Sequence, residues 1–305
     1  MYDTLLLLFL TLLCIATISL IIVNDLFVSI LITGLISMII AVIYVLLDAV
    51  DVALTEIVIG AGISTILFLI IIYLTRAYHI DGFNPVQRFS RKTLPNIFNA
   101  ALLIVIFLLI VDALGYAPTF GDINNITNSN VIYKVYTTTG YTIFGVPNTV
   151  TMILGSFRGF DTLGEVLVIL IGAIGVCLVL QIDKPNPANE LSEKQIAANN
   201  DKALKDYITA TCVFFLIPLI LLFGFYTQFH ADFGAGGGFQ AGVMIAATFY
   251  LMIIHFGKHI ANKFMSVNYL LFFAALGAFI YAFTGIISML LGGKYLDYSV
   301  FGSNT

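Results

Sequence analysis

Eight long apolar runs, separated by shorter polar stretches, make up most of the chain. Each run is close to the roughly 20 apolar residues that an α-helix needs to cross the ~30 Å hydrocarbon core of a bilayer. We therefore predict an all-α integral membrane protein of about eight transmembrane helices. The predicted spans are Thr4–Val23, Leu26–Leu47, Val52–Leu74, Ile97–Gly115, Leu163–Leu180, Tyr207–Tyr226, Phe239–Gly257 and Tyr269–Leu291.

The polar stretches between these runs differ greatly in length. Asn24–Asp25 and Asp48–Asp51 are so short that the first three helices are predicted to form a tight antiparallel unit. Residues 184–206 are polar and begin with a proline-containing stretch, which indicates a cytoplasmic linker between two membrane modules. The long outer segment 116–162 has a polar tip and then a semi-apolar part, Val150–Leu154, which either packs on or dips into the membrane surface.

The basic residues predict the orientation of the chain. Ten of its thirteen Lys and Arg residues fall in three loops, 75–96, 181–206 and 258–268, that an eight-helix topology places on one side. The positive-inside rule assigns these loops to the cytoplasm, so both termini are expected outside. The remaining three basic residues are Lys134, Arg158 and Lys294.

Composition supports the membrane assignment. Apolar residues make up 60% of the chain and charged residues 10%, and a soluble domain could not bury so many apolar side chains. Residues Met1–Thr4 carry an acid and no Lys or Arg, which predicts a true first helix rather than a cleaved signal peptide. No nucleophile–base pair or metal-ligand set is present in the sequence pattern, so the pattern gives little support to a membrane-embedded enzyme.

An acid interrupts the third apolar run. Glu56 lies roughly two turns inside this run, at about 1.5 Å of rise per residue, where an ionised carboxylate is costly unless it faces protein or a cavity. On an α-helix it shares a face with three small residues, Ala53, Gly60 and Ser64. This face predicts contact with another helix and a role in proton or cation handling. The alternative is an acid near the interface, held by a hydrogen-bond donor.

A second group of charges precedes the fifth run. Asp161 and Glu165 are four residues apart and can share a helix face, with Arg158 about one turn before Asp161. Two interpretations stay open, and they are not exclusive. The acids line an ion path, or they serve the helix terminus, because Thr162 and Glu165 have capping-box spacing and Asp161 suits the helix dipole.

The predicted topology places four acids in the outer half of the membrane. These are Glu56, Asp161, Glu165 and Asp112, and together they could line an outward-facing cation or proton path. For Asp112, at the outer end of the fourth span, a plain interfacial role is favoured.

A glycine-rich stretch joins the sixth and seventh spans. It matches neither a phosphate-binding loop nor a dinucleotide fingerprint, because no Gly-Lys-Ser/Thr follows and no strand precedes it. Consecutive glycines permit positive φ and close backbone approach, and the spacing of Gly238, Gly242 and Ala246 is typical of a helix-packing stripe. The glycines assigned to packing are Gly60, Gly236, Gly237, Gly238 and Gly242.

Histidines give weaker signals. His230 and Asp232, at the mouth of the glycine-rich loop, are candidates for binding protons or cations. His79, His255 and His259 have no partner at ligand spacing and are interpreted as interfacial.

Three motifs, taken in order, resemble parts of Mrp-type cation/proton antiporters. Asp51–Gly62 resembles an MbhD-like three-helix module at the carboxyl end of the large A subunit, which also occurs in energy-converting hydrogenases and is related to membrane subunits of respiratory complex I. Asn148–Thr151 followed by Phe157–Glu165 resembles the next, MbhE-like module. Tyr226–Gly242 resembles the signature of the B subunit, the MnhB/MrpB family.

The resemblance implies a division of the chain and a function. The implied parts are an MbhD-like module 1–80, an MbhE-like module 95–183, the linker 184–206 and a B-like module 207–305. The implied function is that of a bacterial plasma-membrane subunit, working with other Mrp subunits, in an exchanger of Na⁺ for protons. The resemblance implies no cofactor and no nucleic-acid partner.

The same resemblance suggests site residues. Glu56, Asp161 and Glu165 match acidic positions of the family and are candidate ion-path residues, with Asp51 and Arg158 beside them. No Lys lies deep inside a predicted span, whereas the antiporter-like helical repeat of the large subunits carries intramembrane lysines. We therefore expect that this chain does not exchange ions alone.

Departures from the family pattern keep alternatives open. Ser156 stands where relatives usually have an acid, and Ala231 and Ala235 replace a glycine and a proline. The chain stops at Thr305, whereas many B subunits continue into one further helix, so a last helix is either absent or supplied elsewhere. The rival functions are a membrane subunit of a hydrogenase or other redox-driven ion pump, and a structural scaffold.

Overall fold

The computed structural model describes residues 2–75, 93–119, 121–122, 125–179, 207–256 and 266–301. Most of the three predicted cytoplasmic loops lies outside the described residues. The linker 184–206 and the histidines His79 and His259 are also outside them. The orientation of the termini stays a prediction.

Eight helices of the described residues are long and apolar enough to cross a membrane, which confirms the predicted all-α membrane fold. The third of these spans is not uniform, because a π-helical segment, Ile57–Ser64, separates two α-helical parts. The α-helices, numbered in chain order, are α1 (Tyr2–Ile22), α2 (Leu26–Leu46), α3 (Val50–Glu56), α4 (Thr65–Thr75), α5 (Thr93–Gly115), α6 (Ile126–Ser129), α7 (Val131–Lys134), α8 (Gly140–Phe144), α9 (Thr149–Met152), α10 (Gly159–Val179), α11 (Tyr207–His230), α12 (Gly238–Phe256) and α13 (Val267–Leu290).

The chain divides into two compact units, Met1–Val135 and Tyr136–Thr305. In the first unit, α1 packs on α2 around Ala16, Ile39 and Ile43, and α2 also contacts the third span along its length. The turn between α1 and α2 is tight because the side chain of Asp25 caps α2 by accepting from the amides of Phe27 and Val28. The predicted three-helix unit is thereby observed.

In the second unit, α11 and α12 form a closely packed pair. The face of α12 that meets α11 carries Ala241, Met244 and Thr248, all buried, and a Cβ at Gly224 of α11 would lie 3.4 Å from Met244 Cβ. Small residues at this contact let the two backbones approach each other, as is common between membrane helices.

The rest of the second unit surrounds the start of α10. Helix α13 runs beside α10, and the residues after α13 fold back so that Leu296 is 1% exposed and packs on Gly159. The outer segment forms α8, α9 and two further π-helical stretches, Val135–Thr139 and Ile153–Phe157, of which the second leads into α10. Hydrogen bonds from Tyr281 and Tyr298 to Gly159 and Ser156 hold these parts of the unit together.

Candidate functional site

Glu56 lies at the last residue of α3, where the π-helical segment begins, and is partly buried. A Cβ at residue 60 would lie 2.7 Å from Glu56 Oε1 and 2.8 Å from Ser37 Cβ, and closer still to Ser37 Oγ. Ser37 of α2 is 7% exposed. The missing side chain of Gly60 therefore leaves the space in which the Glu56 carboxylate and the Ser37 hydroxyl both lie.

The π-helical segment shapes the far side of this site. The hydroxyl of Thr65 donates to the carbonyl oxygen of Gly60 at 3.1 Å, five residues back, and lies 2.9 Å from the position of a Cβ at Gly34 of α2. Because a π turn contains more residues than an α turn, the helix face shifts, and Thr65 meets α2 one residue later than the predicted Ser64. We call Gly34, Ser37, Glu56, Gly60 and Thr65 the Glu56 site.

The polar atoms of the Glu56 site are oxygens of the Glu56 carboxylate and of the Ser37 and Thr65 hydroxyls. Within the described residues, no Lys, Arg or His forms an ion pair with Glu56, and no group of three His, Cys, Asp or Glu side chains is placed to hold a metal. A lone carboxylate in an apolar span is costly when ionised. Chemically, this arrangement suits a carboxyl group that carries either a proton or a passing cation.

Gly60→Ala should lower the thermal stability of the full chain, because the new methyl group would press Ser37 and α2 away from the third span. Ser37→Gly removes the Cβ and Oγ of Ser37, the two atoms of α2 that the new methyl group would meet. Adding it to Gly60→Ala should therefore restore part of the lost stability, although Ser37→Gly alone weakens α2. Gly172→Ala is the control, since open space surrounds a Cβ there. The melting temperature of a fluorescent-protein fusion in detergent measures the effect, and strictly additive changes would contradict the described contact.

Asp51 lies in the first turn of α3 and is partly buried. Its carbonyl oxygen accepts from the Thr55 hydroxyl at 2.9 Å. An acid in the first turn of a helix interacts favourably with the helix dipole, so the local structure gives Asp51 a stabilising role. Its part in an ion path stays a prediction.

Asp112 lies in the next-to-last turn of α5 and is exposed, as are all residues of α5 from Phe98 to Gly115. Glu56 and Asp112 belong to the first compact unit, whereas Asp161 and Glu165 belong to the second. The predicted alignment of the four acids at one membrane level stays a prediction.

Arg158 and Asp161 form an ion pair at the start of α10. Arg158 Nε donates to Asp161 Oδ2 at 2.6 Å, and a second guanidinium nitrogen lies 2.5 Å from the same oxygen. The two side chains are 60% and 48% exposed. Glu165, one turn further along α10, is also exposed, so this chain alone does not bury the second acid group.

The capping-box interpretation of Thr162 and Glu165 is wrong. Helix α10 begins at Gly159, three residues before the predicted cap. The hydroxyl of Thr162 instead donates to the carbonyl oxygen of Leu154, at 2.8 Å. The helix starts early because the preceding π-helical stretch already directs the chain into it, with the Arg158 amide donating to the Ile153 carbonyl.

Asn148 connects the outer segment to the loop after α11. Its side-chain oxygen caps α9 by accepting from the amides of Val150 and Thr151, while its Nδ2 donates to the Gly234 carbonyl at 2.7 Å. The Asn148 amide donates to the Asp232 carbonyl at 3.0 Å. The Thr151 hydroxyl donates to the Ala231 carbonyl at 2.7 Å. We call the three bonds from Asn148 and Thr151 to this loop the Asn148 clamp.

Two glycines shape the loop that the clamp holds. A Cβ at Gly236 would collide with the Thr227 carbonyl oxygen and lie 3.1 Å from Ala231 Cα. Gly237 has φ of +146°, which glycine favours, and its amide donates to the Thr227 carbonyl at 3.3 Å. Close backbone approach, as predicted from the consecutive glycines, is what this turn requires.

The small-residue stripe of α12 begins next to α11, where a Cβ at Gly238 would lie 3.4 Å from Gln228 Oε1. Gly238 and Gly242 are exposed, and a Cβ at Gly242 would have no neighbour within 4 Å. The contact of α12 with α11 uses the adjacent face, on which Ala241, Met244 and Thr248 are buried. A packing role of the stripe against another chain stays a prediction.

The histidines are held by aromatic contacts. The His230 ring stacks on Tyr226, with centroids 4.9 Å apart, and covers Gly234. Asp232 is exposed, and no ion pair between it and His230 occurs among the described residues. His255 packs edge-on against Phe256, with its Nδ1 buried. Cation binding by His230 and Asp232 stays a prediction.

Comparison with known families divides the chain into three matched regions. The model MbhD, the D subunit of MBH, matches residues 11–77, and MbhE, the E subunit of MBH, matches residues 103–196. The model of a domain related to the MnhB subunit of a Na⁺/H⁺ antiporter matches residues 208–304. Three successive regions of the chain are thus similar to MbhD, MbhE and an MnhB-related domain.

The relatives of this chain include an uncharacterized protein and several proteins named as antiporter subunits. An uncharacterized protein of Methanocaldococcus jannaschii is 32% identical over 162 residues, which are 50% of this chain and 60% of that protein. The A1 subunit of a Na⁺/H⁺ antiporter of Staphylococcus haemolyticus is 29% identical over 188 residues, 62% of this chain and 22% of the relative. The B subunit of a Na⁺/H⁺ antiporter of Bacillus subtilis is 25% identical over 33% of this chain and 69% of its own length.

A solved structure has the same fold. The structure of the Mrp complex from Dietzia sp. DQ12-45-1b matches 95% of this chain and 30% of the compared chain, with a TM-score of 0.71 and 19% identity. The chain spans 60% or less of the length of its first relatives. The comparison therefore shows the fold, and the activity of a whole complex is a separate matter.

The described sites can now be placed in the domains. The Glu56 site lies entirely within the MbhD match, 11–77. Asn148, the Arg158–Asp161 pair and Glu165 lie within the MbhE match, 103–196. The glycine-rich loop lies within the MnhB-related match, 208–304. The Asn148 clamp therefore joins the MbhE domain to the MnhB-related domain.

Proposed function

We propose that this protein is a membrane subunit of a multi-subunit Mrp-type antiporter that exchanges Na⁺ for protons across the bacterial plasma membrane. The supporting observation is the order of three domains in one chain, MbhD, MbhE and MnhB-related. Among the relatives of this chain are A subunits and B subunits of Na⁺/H⁺ antiporters. Other Mrp subunits are the proposed partners.

Glu56 is the proposed ion-carrying residue of this protein. Its neighbours in the Glu56 site are a buried serine, two glycines and a threonine, and none of these carries a countercharge. An ionised carboxylate in an apolar span is costly unless it faces protein, a partner or a cavity. A cation arriving from a partner subunit would displace the proton, and its departure would let the carboxylate take up a new one.

We propose that partner subunits drive the exchange, because no Lys lies deep inside a predicted span of this chain. The acids of the MbhE domain, Asp161 and Glu165, are exposed in the isolated chain. We propose that partner subunits cover them and extend the path from the Glu56 site. Arg158 would then compete with the passing cation for Asp161 and so weaken its retention, since it already pairs with that carboxylate.

Glu165→Gln should lower exchange by the assembled complex without changing the amount of complex, because the variant removes a charge but keeps the side-chain shape. The rate of Na⁺-driven proton movement, normalised to complex abundance, measures the effect. If abundance falls and the normalised rate does not, Glu165 has a structural role only.

A second candidate function has support from the matched families. Two of the three families are subunits of the complex abbreviated MBH, so the same modules could serve a redox-driven ion pump. Purification of the tagged chain from its native membrane separates the candidates. Large antiporter-like and small membrane subunits should co-purify and give Na⁺/H⁺ exchange in liposomes. Co-purification of iron–sulfur proteins would assign the redox pump instead.

A further inference from the structure

We propose that the outer segment 140–159 is a strap that binds the MnhB-related domain non-covalently, through the Asn148 clamp and a second contact at Gly159. On this proposal, residues 184–206 are not needed to keep the two domains together. The strap recognises any MnhB-type module whose glycine-rich loop presents the same carbonyl groups. Through the clamp, the strap therefore binds backbone carbonyl groups of the loop.

The clamp is formed by donors of the strap and carbonyl oxygens of the loop. The carbonyls of Ala231, Asp232 and Gly234 each accept one hydrogen bond from Asn148 or Thr151. These carbonyls follow the last residue of α11, a region where helices leave carbonyl groups without partners inside the helix. Asn148 is 9% exposed, so water does not readily replace these bonds.

The glycines keep the loop in the shape that the clamp recognises. Gly236 and Gly237 bring the chain back against the Thr227 carbonyl, which turns the loop so that three of its carbonyls face the strap. The side chain of Asp232 stays exposed. Recognition therefore depends on the path of the loop backbone and tolerates different side chains at position 232.

A second contact lies at the carboxyl end of the strap. The amide of Tyr298 donates to the Ser156 hydroxyl at 3.2 Å, and the Tyr281 hydroxyl donates to the Gly159 carbonyl at 3.3 Å. Leu296 lies 3.0 Å from the position that a Cβ at Gly159 would take. The strap is thus bonded to the MnhB-related domain at two places, at its middle to the glycine-rich loop and at its carboxyl end to α13 and the residues after it.

A cleavable full-length chain tests the proposal. A site for a specific protease is placed within residues 184–206, and the chain is purified in detergent through an amino-terminal tag and then cut. The carboxyl-terminal fragment should stay with the tagged fragment through size-exclusion chromatography. If the fragments of the otherwise unaltered chain separate, the proposal is overturned.

Matched substitutions identify the clamp. Asn148→Asp keeps the cap of α9 but replaces the donor to Gly234 with an acceptor, and Thr151→Val removes the donor to Ala231. Each substitution should lower the amount of carboxyl-terminal fragment that stays with the tagged fragment, by roughly tenfold for Asn148→Asp. Asn130→Asp and Thr142→Val are the controls, because among the described residues the bonds of these side chains stay within the outer segment.

The outcome distinguishes the strap from a general loss of folding and from the proposed function. The uncut Asn148→Asp chain should elute as a single species, and its fragments should part only after cleavage. Equal retention in Asn148→Asp and Asn130→Asp would overturn the clamp. Because no ion movement is measured, the outcome does not depend on whether the complex exchanges Na⁺.

Discussion

Glu56→Gln is expected to reduce Na⁺-driven proton exchange by the assembled complex to background, with unchanged assembly. Gln has nearly the same shape and fits beside Ser37 and Gly60, but it cannot carry a proton between two charge states. The loss is therefore expected to exceed tenfold, which corresponds to about 1.4 kcal/mol in the rate-limiting barrier. Everted membrane vesicles loaded with a ΔpH-sensitive dye measure the exchange on addition of Na⁺.

Asp3→Asn is the matched control, because Asp3 lies in the first turn of α1 and belongs to no described site. It should leave exchange unchanged. Retention of full exchange in Glu56→Gln would favour the structural scaffold over the proposed function. The scaffold would also be favoured if Glu56→Gln lowered the amount of complex while the remaining complex exchanged ions at the normal rate.

Gly236→Ala is expected to destabilise the full chain strongly, by about 3 kcal/mol or more. A Cβ there collides with the Thr227 carbonyl, and backbone near a helix end cannot move aside as a flexible side chain can. Displacing the loop would also misplace the carbonyls of the Asn148 clamp. Because the chain contains no Trp, a fluorescent-protein fusion heated in detergent is the suitable measure of thermal stability.

Gly242→Ala provides a control within the same glycine-rich motif. Open space surrounds a Cβ at that position, and Ala favours a helix over Gly by up to about 1 kcal/mol. Gly242→Ala should leave stability unchanged or raise it slightly. Similar melting temperatures for Gly236→Ala and Gly242→Ala would show that the close approach to Thr227 does not constrain residue 236.

Much of the fold could be predicted from hydropathy alone. The eight apolar runs have the length of spanning helices, and each became one span. The observed helices extend past several predicted ends, as in α11, which continues from Tyr226 to His230. Hydropathy marks where a chain is apolar, whereas hydrogen bonding decides where a helix stops.

The face of Glu56 could be predicted only in part. Helical spacing placed Ala53 and Gly60 on it, and Ala53 is 1% exposed while Gly60 meets α2. Spacing of 3.6 residues could not foresee the π-helical segment, so Thr65 and not Ser64 lies against Gly34. Ser37 was missed because a serine in an apolar run has no signal of its own.

Asn148 and Thr151 belong to a motif whose role the sequence pattern does not reveal. Asn followed by residues of a helix start is a capping signal, and that signal predicts the local bond to Thr151. The bonds to Gly234 and Ala231 join residues eighty or more positions apart. A local sequence pattern does not predict contacts between residues so far apart in the chain. The capping box predicted at Thr162 is wrong for a related reason, because the Thr162 hydroxyl bonds to Leu154, eight residues away, and not to the start of its own helix.

The protonation of Glu56 itself can be measured directly. Infrared difference spectra of the purified complex, recorded with and without Na⁺, report the carbonyl band of a protonated carboxyl group. If Glu56 carries the exchanged proton, Na⁺ should remove such a band, and Glu56→Gln should abolish this change. An identical band change in Glu56→Gln, or no change in a complex that exchanges Na⁺ for protons, would contradict the proposed role of Glu56.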